Sequence, residues 1–296
     1  MCVIWGIPYL LIRVAVRELT PATLVFGRSA VAVLLLVPLA ALRGLLRPLV
    51  LRWRPLLAYT LVEIAVPWWF LSSAEVRLSS SLTGILIGAV PLVGAVALRA
   101  TGDGERLSRT RLAGLLLGFI GVGVAALVGL DVSGASAGAL LELTLVVVGY
   151  AIGPIILARY LVDLPGLGVV AASLALTAVG YAPVAAFQFP SAIPPAGALA
   201  AVAALGVICS AVAFLIFFAL VREVGPGRAA VITYVNPAVA ALLGVSLLGE
   251  TLTVGMGVGF VFVLAGSILA TRRVAPRDGS ASSRRVPVAA PAIGEP

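Results

Sequence analysis

Two stretches of the chain decide its fold: VPLVGAVALRATGDGERL, Val90–Leu107, and NPAVAALLGVSLLGETL, Asn236–Leu252. Both are apolar, both open with a proline and both stop at Gly-Glu. The landmarks continue downstream. Gly114 and Gly121 follow Glu105 by nine and sixteen residues, and Gly259 and Gly266 follow Glu250 by the same nine and sixteen. Upstream, Pro91 precedes Glu105 by fourteen residues and Pro237 precedes Glu250 by thirteen. The halves also open alike, with WGIPYLLIRVAVRELTP from Trp5 and VGYAIGPIILARYLVDLP from Val148. Ordered landmarks at matched spacing mark an internal repeat.

The composition says where such a repeat can live. Of 296 residues, 61% are hydrophobic and only 11% are charged. Soluble domains carry about 25% charged residues, and a soluble fold of this length could not hide so much apolar surface. Runs of about 20 apolar residues, the length that crosses a bilayer, recur along the chain. They predict ten helices, over 2–16, 22–42, 55–73, 80–99, 111–129, 137–158, 167–188, 196–221, 227–248 and 254–271. The first run is short for a span, so a native start upstream of Met1 is expected. No cleavable leader is evident, because the run lacks a basic start and a small-residue cleavage site.

The net charge of +8 comes from arginine alone. Starting inside, sixteen arginines fall in the inner loops and the tail, and only Arg17 and Arg77 fall in the outer joins. Short cytoplasmic loops are enriched in basic residues, so both termini are expected in the cytoplasm. The same bias argues against nucleic acid as a partner. Five helices per repeat is an odd number, so the second copy enters the membrane upside down. The join after Glu105 is then cytoplasmic and holds Arg99, Arg106, Arg109 and Arg111; the join after Glu250 is external and holds none. Inverted repeats of this kind rock about a site near the midplane in secondary transporters.

With these features the chain resembles the EamA family of the drug/metabolite transporter superfamily. The residues that carry the resemblance are WGIPYLLIRVAV with LTPATLVFGRSAVAVLLLVPL, then VPLVGAV…GERL, then YVNPAVAALLGVSLLGETL with its two following glycines. The resemblance implies an all-α integral membrane protein of ten transmembrane helices in two inverted five-helix repeats. The division expected is 1–130, 137–272 and a disordered cytoplasmic tail, 273–296, rich in Pro, Ser and Arg. It implies a multi-pass carrier in the bacterial cytoplasmic membrane that exports a small metabolite, amino acid or drug-like compound by alternating access. The alternative is a lipid-linked carrier or flippase of the same superfamily. The expected partners are a small-molecule substrate and the lipid bilayer, with a homodimer left open.

Enzyme chemistry finds no support. The chain has no histidine, no phosphate loop, no nucleophile elbow and no paired-cysteine motif. No cofactor and no metal is called for. Cys2 and Cys209 both fall in apolar runs and read as small core residues.

Candidate site residues follow from what is costly in a membrane. Glu63 lies mid-span, where an acid costs about 2.5–3.5 kcal/mol on the insertion scale and needs water, a partner or a proton. Arg28 is its candidate ion-pair or coupling partner. Trp5, Tyr9, Trp68, Trp69, Tyr150 and Tyr234 are candidate substrate-binding aromatics, with Asn236 beside the proline expected to kink the ninth helix. The expected cavity lies among helices one, three, four, six, eight and nine. Glu105 and Glu250, each near a following Ser or Thr, read as helix-hairpin structural devices. Pro91 and Pro237 belong to the same structural set. Glu142 and Arg13 read as residues reaching for the headgroups, and Trp53 and Tyr59 as interface aromatics. Gly84 with Gly88, Gly114 with Gly118, and Gly255 with Gly259 read as close-packing pairs.

Overall fold

The computed structural model describes residues 1–100, 108–129, 134–224 and 235–271. The Glu105 and Tyr234 readings, like the tail beyond Thr271, lie outside those residues. The first half holds α1 (Cys2–Ala15), α2 (Pro21–Leu42), α3 (Trp53–Glu75), α4 (Ser80–Ala100) and α5 (Arg109–Gly129). The second holds α6 (Gly134–Tyr160), α7 (Gly166–Phe187), α8 (Ala196–Gly206 continuing through Val207–Val212 to Ala213–Val224), α9 (Asn236–Leu248) and α10 (Val254–Thr271). Among the described residues no strand is present. Seven helices among the described residues are long and apolar enough to cross a membrane; Val3–Ala15, Asn236–Leu248 and Val254–Ala270 are apolar but shorter.

The helices are apolar on every side, which water does not permit and lipid does. Leu24, Ile85 and Leu205 are fully buried, while Leu127 at 81% and Phe187 at 90% point outward. Local chemistry sets the helix ends. Thr20 accepts the Thr23 N–H at 3.3 Å and Pro21 follows, so α2 starts there. Ser79 accepts the Leu82 N–H at 3.2 Å at the start of α4.

Three helices depart from regular geometry. In α4 the turn breaks at Gly88–Ala89, just before Pro91, which lacks an N–H to continue the ladder. The Gly88 carbonyl set free there accepts the Ser267 hydroxyl of α10 at 3.2 Å. In α3 the residues Thr60–Ala65 form a wide π turn ahead of Pro67, and the Tyr181 hydroxyl of α7 donates to the Ala65 carbonyl at 3.0 Å. In α8, Val207–Val212 form a second π turn, with the Ser210 hydroxyl donating to the Leu205 carbonyl at 2.9 Å. Both π turns fall in the third helix of a half.

The contacts between helices repeat on adding five. Helix α1 packs on α8 and α9, and α6 packs on α3 and α4. Helices α2 and α7 pack on each other, as do α4 and α9, and α5 and α10. The last seam is lined by glycine from both sides. A Cβ at Gly121 would lie 2.7 Å from the Gly259 carbonyl oxygen, and one at Gly259 would lie 2.7 Å from that of Gly121. Gly84 faces the Ala240 side chain and Gly88 faces Val263 and Pro237. The glycine pairs thus sit at close helix crossings.

Candidate functional site

Helices α1, α2, α3, α6 and α8 bring a polar cluster into the middle of the apolar bundle. It is built on Arg28 of α2, which is 4% exposed. Its guanidinium lies over the Trp68 ring at 3.6 Å, and its Nη2 donates to the Ser210 hydroxyl at 3.3 Å. Its Nε is buried without a partner. Gly206 allows α2 this close, since a Cβ there would stand 2.8 Å from the Arg28 carbonyl. The Trp68 indole in turn lies within reach of the Tyr150 hydroxyl. Tyr150, Cys209 and Glu75 all lie within electrostatic reach of Arg28, and Tyr9 lies within reach of Tyr150 and Glu75.

Two carboxyl groups flank this centre. Glu63 projects from the π turn of α3 onto α6, where Gly153 leaves it room. A Cβ at Gly153 would collide with the carboxylate and lie 2.8 Å from the Glu63 Cβ. The Oε2 of Glu63 is buried and has no hydrogen-bond partner. Glu75, at the C-terminal end of the same helix, is 0% exposed, and neither of its carboxylate oxygens is bonded. Arg13 of α1 donates to the backbone carbonyl of Glu75 and, at 3.0 Å, to that of Val76. It closes the C-terminal turn of α3, where carbonyls lack helical partners and a cation is favoured, instead of reaching for headgroups.

Several sequence readings are corrected by this geometry. Arg28 does not pair with Glu63. Trp68 lies five positions after Glu63, which is not a whole number of helical turns, so the two leave α3 on different faces and Arg28 meets Trp68 while Glu63 meets α6. Trp69 is 36% exposed and stacks edge-on with Phe70 at 5.0 Å, on the outward side of α3. Glu142 forms an ion pair with Arg77 and accepts the Ser73 hydroxyl at 3.1 Å. Tyr59 is buried within reach of Glu63, while Trp53 is exposed as an interface residue would be. Trp5 sits one turn before Tyr9, against Phe217 at 5.0 Å and Phe214 at 5.9 Å. Asn236 is half-buried in the first turn of α9 at the level of Gly6 of α1, with Pro237 beside it. The segment before Val235 is not described, so the expected kink falls outside the described residues.

Sequence reasoning missed Glu75, Ser210 and Gly153. Glu75 stands at the end of an apolar run and reads as an edge residue; its burial comes from the packed bundle. An apolar cleft of about 460 Å³ on α10, lined by Leu252, Val254, Val258 and Phe262, lies away from all of these groups.

Glu250 has a different setting. It lies between α9 and α10, and its carboxylate meets Ser80 and Ser81 at the start of α4. Burial pushes its pKa up, but the hydrogen bonds from Ser81 and Ser80 outweigh that and hold the carboxyl below its usual range. Its own downstream helix is capped by Thr253, which accepts the Met256 N–H at 3.2 Å.

Comparison with known proteins agrees with the architecture. The model of the EamA-like transporter family matches residues 1–127 and again residues 137–272. The inner membrane transporter YedA of Escherichia coli strain K12, itself uncharacterized, is 31% identical over 260 residues, covering 85% of this chain and 81% of that protein. An uncharacterized transporter of Clostridium kluyveri is 29% identical over 65 residues, or 22% of this chain and 21% of that protein. A crystal structure 22% identical in sequence superposes with a TM-score of 0.67, covering 91% of this chain and 94% of that one.

Proposed function

Because the chain belongs to the EamA-like transporter family, we propose that it is a secondary-active carrier of the bacterial cytoplasmic membrane, with both termini in the cytoplasm. Its cargo is a small metabolite, amino acid or drug-like compound, exported by alternating access, and it is not an enzyme. The fold proposed is ten spans in two inverted five-helix repeats, 1–130 and 137–272. Supporting this are the two separate family matches and the helix contacts that repeat on adding five.

The observation that carries the reading is the set of buried groups left open. Arg28 Nε, Glu63 Oε2 and both oxygens of Glu75 have no bonded partner. A charge at mid-span, as for Glu63, costs about 2.5–3.5 kcal/mol, and burial without a partner penalises Glu75 at the end of α3 too, so a merely structural core would pair such groups or lack them. Protons and a polar ligand are what can complete them. Trp68, Tyr9 and Tyr150 supply an amphipathic wall around the centre, with Trp5 and Asn236 one turn away, and Glu63 handles the proton.

The test is purified protein in liposomes, offered a panel of amino acids and small metabolites with and without a pH gradient. Gradient-dependent movement of a solute is expected. Glu63→Gln should abolish the gradient dependence, and intact gradient-driven transport by that variant would refute the proton role. Movement of labelled lipid with no solute flux would refute the exporter reading.

A further inference from the structure

Glu250 spans the two halves at one face of the bundle. Its carboxylate accepts the backbone N–H groups of Ser80 and Ser81, each at 2.8 Å, and their hydroxyls at 3.1 and 2.6 Å. The surrounding chain is shaped for this. Gly249 takes a left-handed φ of 66°, and the Glu250 N–H returns to the Gly244 carbonyl at 3.1 Å. Gly244 leaves the space, because a Cβ there would stand 2.8 Å from the Ser80 hydroxyl and strike Ser81 and the carboxylate. Thr253 already caps α10, so Glu250 is not needed for the helix that follows it.

The position matters as much as the bonds. Helix α1 ends at this face, α3 ends here with Arg13 on its last carbonyls, and α4 begins here. One turn inward from the carboxylate, Gly84 lies against Ala240, so α4 and α9 touch closely beneath it. Glu75 of α3 lies within electrostatic reach of the carboxylate, and Arg13 of α1 and Arg28 of α2 lie within reach of Glu75. Opening this face means separating α4 from α9, and that removes all four bonds together. Bonds from N–H and O–H donors to an ionised acceptor are the strong kind, and an anion is favoured at a helix start.

We propose that Glu250 is a gate-positioning residue, whose carboxylate bonds α4 to the opposite half to hold this face closed, and which lets go when the face opens. The proposal rests on the alternating-access reading above. It makes Ser80 and Ser81 part of the gate, and it separates the role of Glu250 from that of the central cluster.

The test uses the full chain with Cys2→Ser and Cys209→Ala, carrying Thr83→Cys as the reporter. Thr83 is fully buried on α4, its hydroxyl unbonded, one turn inside the latch. Labelling by a membrane-impermeant maleimide is measured in liposomes from each face separately. Glu250→Gln should speed labelling from the latch face by about tenfold or more and slow it from the opposite face, the signature of a shifted two-state equilibrium. The double variant Ser80→Ala and Ser81→Ala keeps the backbone donors and should shift both rates the same way by a few-fold. It also keeps the proposal falsifiable if Glu250→Gln fails to fold. Unchanged rates in both, or acceleration from both faces alike, would overturn the gate in favour of a plain helix cap. A shifted labelling pattern with no solute transport would leave the gate standing and fail the carrier reading. Transport at the parent rate with unresponsive labelling would do the reverse.

Discussion

Replacing Gly153 by alanine drives a methyl group into Glu63. The added Cβ would lie 2.8 Å from both Cβ and Cδ of Glu63, with the carboxylate oxygen closer still. Against the 3.4 Å of ordinary contact, that is a shortfall of about 0.6 Å. Swinging the carboxyl aside relieves only part of it, because the Glu63 Cβ is fixed to the α3 backbone. Helices α3 and α6 must therefore part, and overpacking of this kind costs about 1–3 kcal/mol. The assay is SDS-induced unfolding in mixed micelles, read as a double-mutant cycle with Glu63→Gly. Removing every clashing atom should cut the Gly153→Ala penalty to a few tenths, a coupling of about 1 kcal/mol or more. Gly149→Ala is the control. Its Cβ would meet the Val62 carbonyl and the Pro67 ring, so it should cost a similar amount yet show no coupling to Glu63. Penalties for Gly153→Ala and Glu63→Gly that add within about 0.5 kcal/mol would refute the proposed slot.

Three further outcomes follow from the same geometry. Gly259→Val should destabilise the α5–α10 seam by about 3 kcal/mol in the same unfolding assay, since its Cβ would meet backbone at Gly121 and Ala125, while Gly257→Val, with open space around it, should cost less than about 0.5 kcal/mol. Arg28→Lys keeps the charge but loses the planar contact on Trp68 and should cost about 1–2 kcal/mol of stability; combined with Trp68→Leu the losses should be less than additive. For Glu250 the folded pKa is lowered, so its contribution to stability is fully present above the unfolded value near 4.5 and is lost as pH falls through the lower folded value. Unfolding midpoints of the parent and Glu250→Gln, followed from neutral pH downward, should keep a constant gap until about pH 4.5 and then converge. Convergence beginning near neutrality would contradict the hydrogen-bonded carboxylate.

What could be read from the sequence was whatever depends on local chemistry. Apolar runs and their breakers located the helices, and the mid-span position of Glu63 marked it before any fold was known. Thr253 announced the start of α10 by type and spacing. The remainder depended on which face a residue turns. Trp68 and Trp69 are adjacent on a helix apolar all round, so nothing in the sequence chooses between them, yet one stacks on Arg28 and the other points away. Glu250 reads as a device of its own hairpin because spacing reports neighbours in the chain. Its donors are about 170 residues away. Glu75 carries no signal, since an acid at the end of a span usually reaches water, and only the packed bundle closes that route.

The π turn at Thr60–Ala65 has a consequence for how this helix can vary. A wide turn takes up one residue more than the α-helical path it interrupts. A chain one residue shorter there could run straight, with Trp68 and Glu75 keeping the faces they now present. It would lose the outward step that seats Glu63 over Gly153. The carboxylate slot is thus an addition to the helix, separable from the stack that holds Arg28.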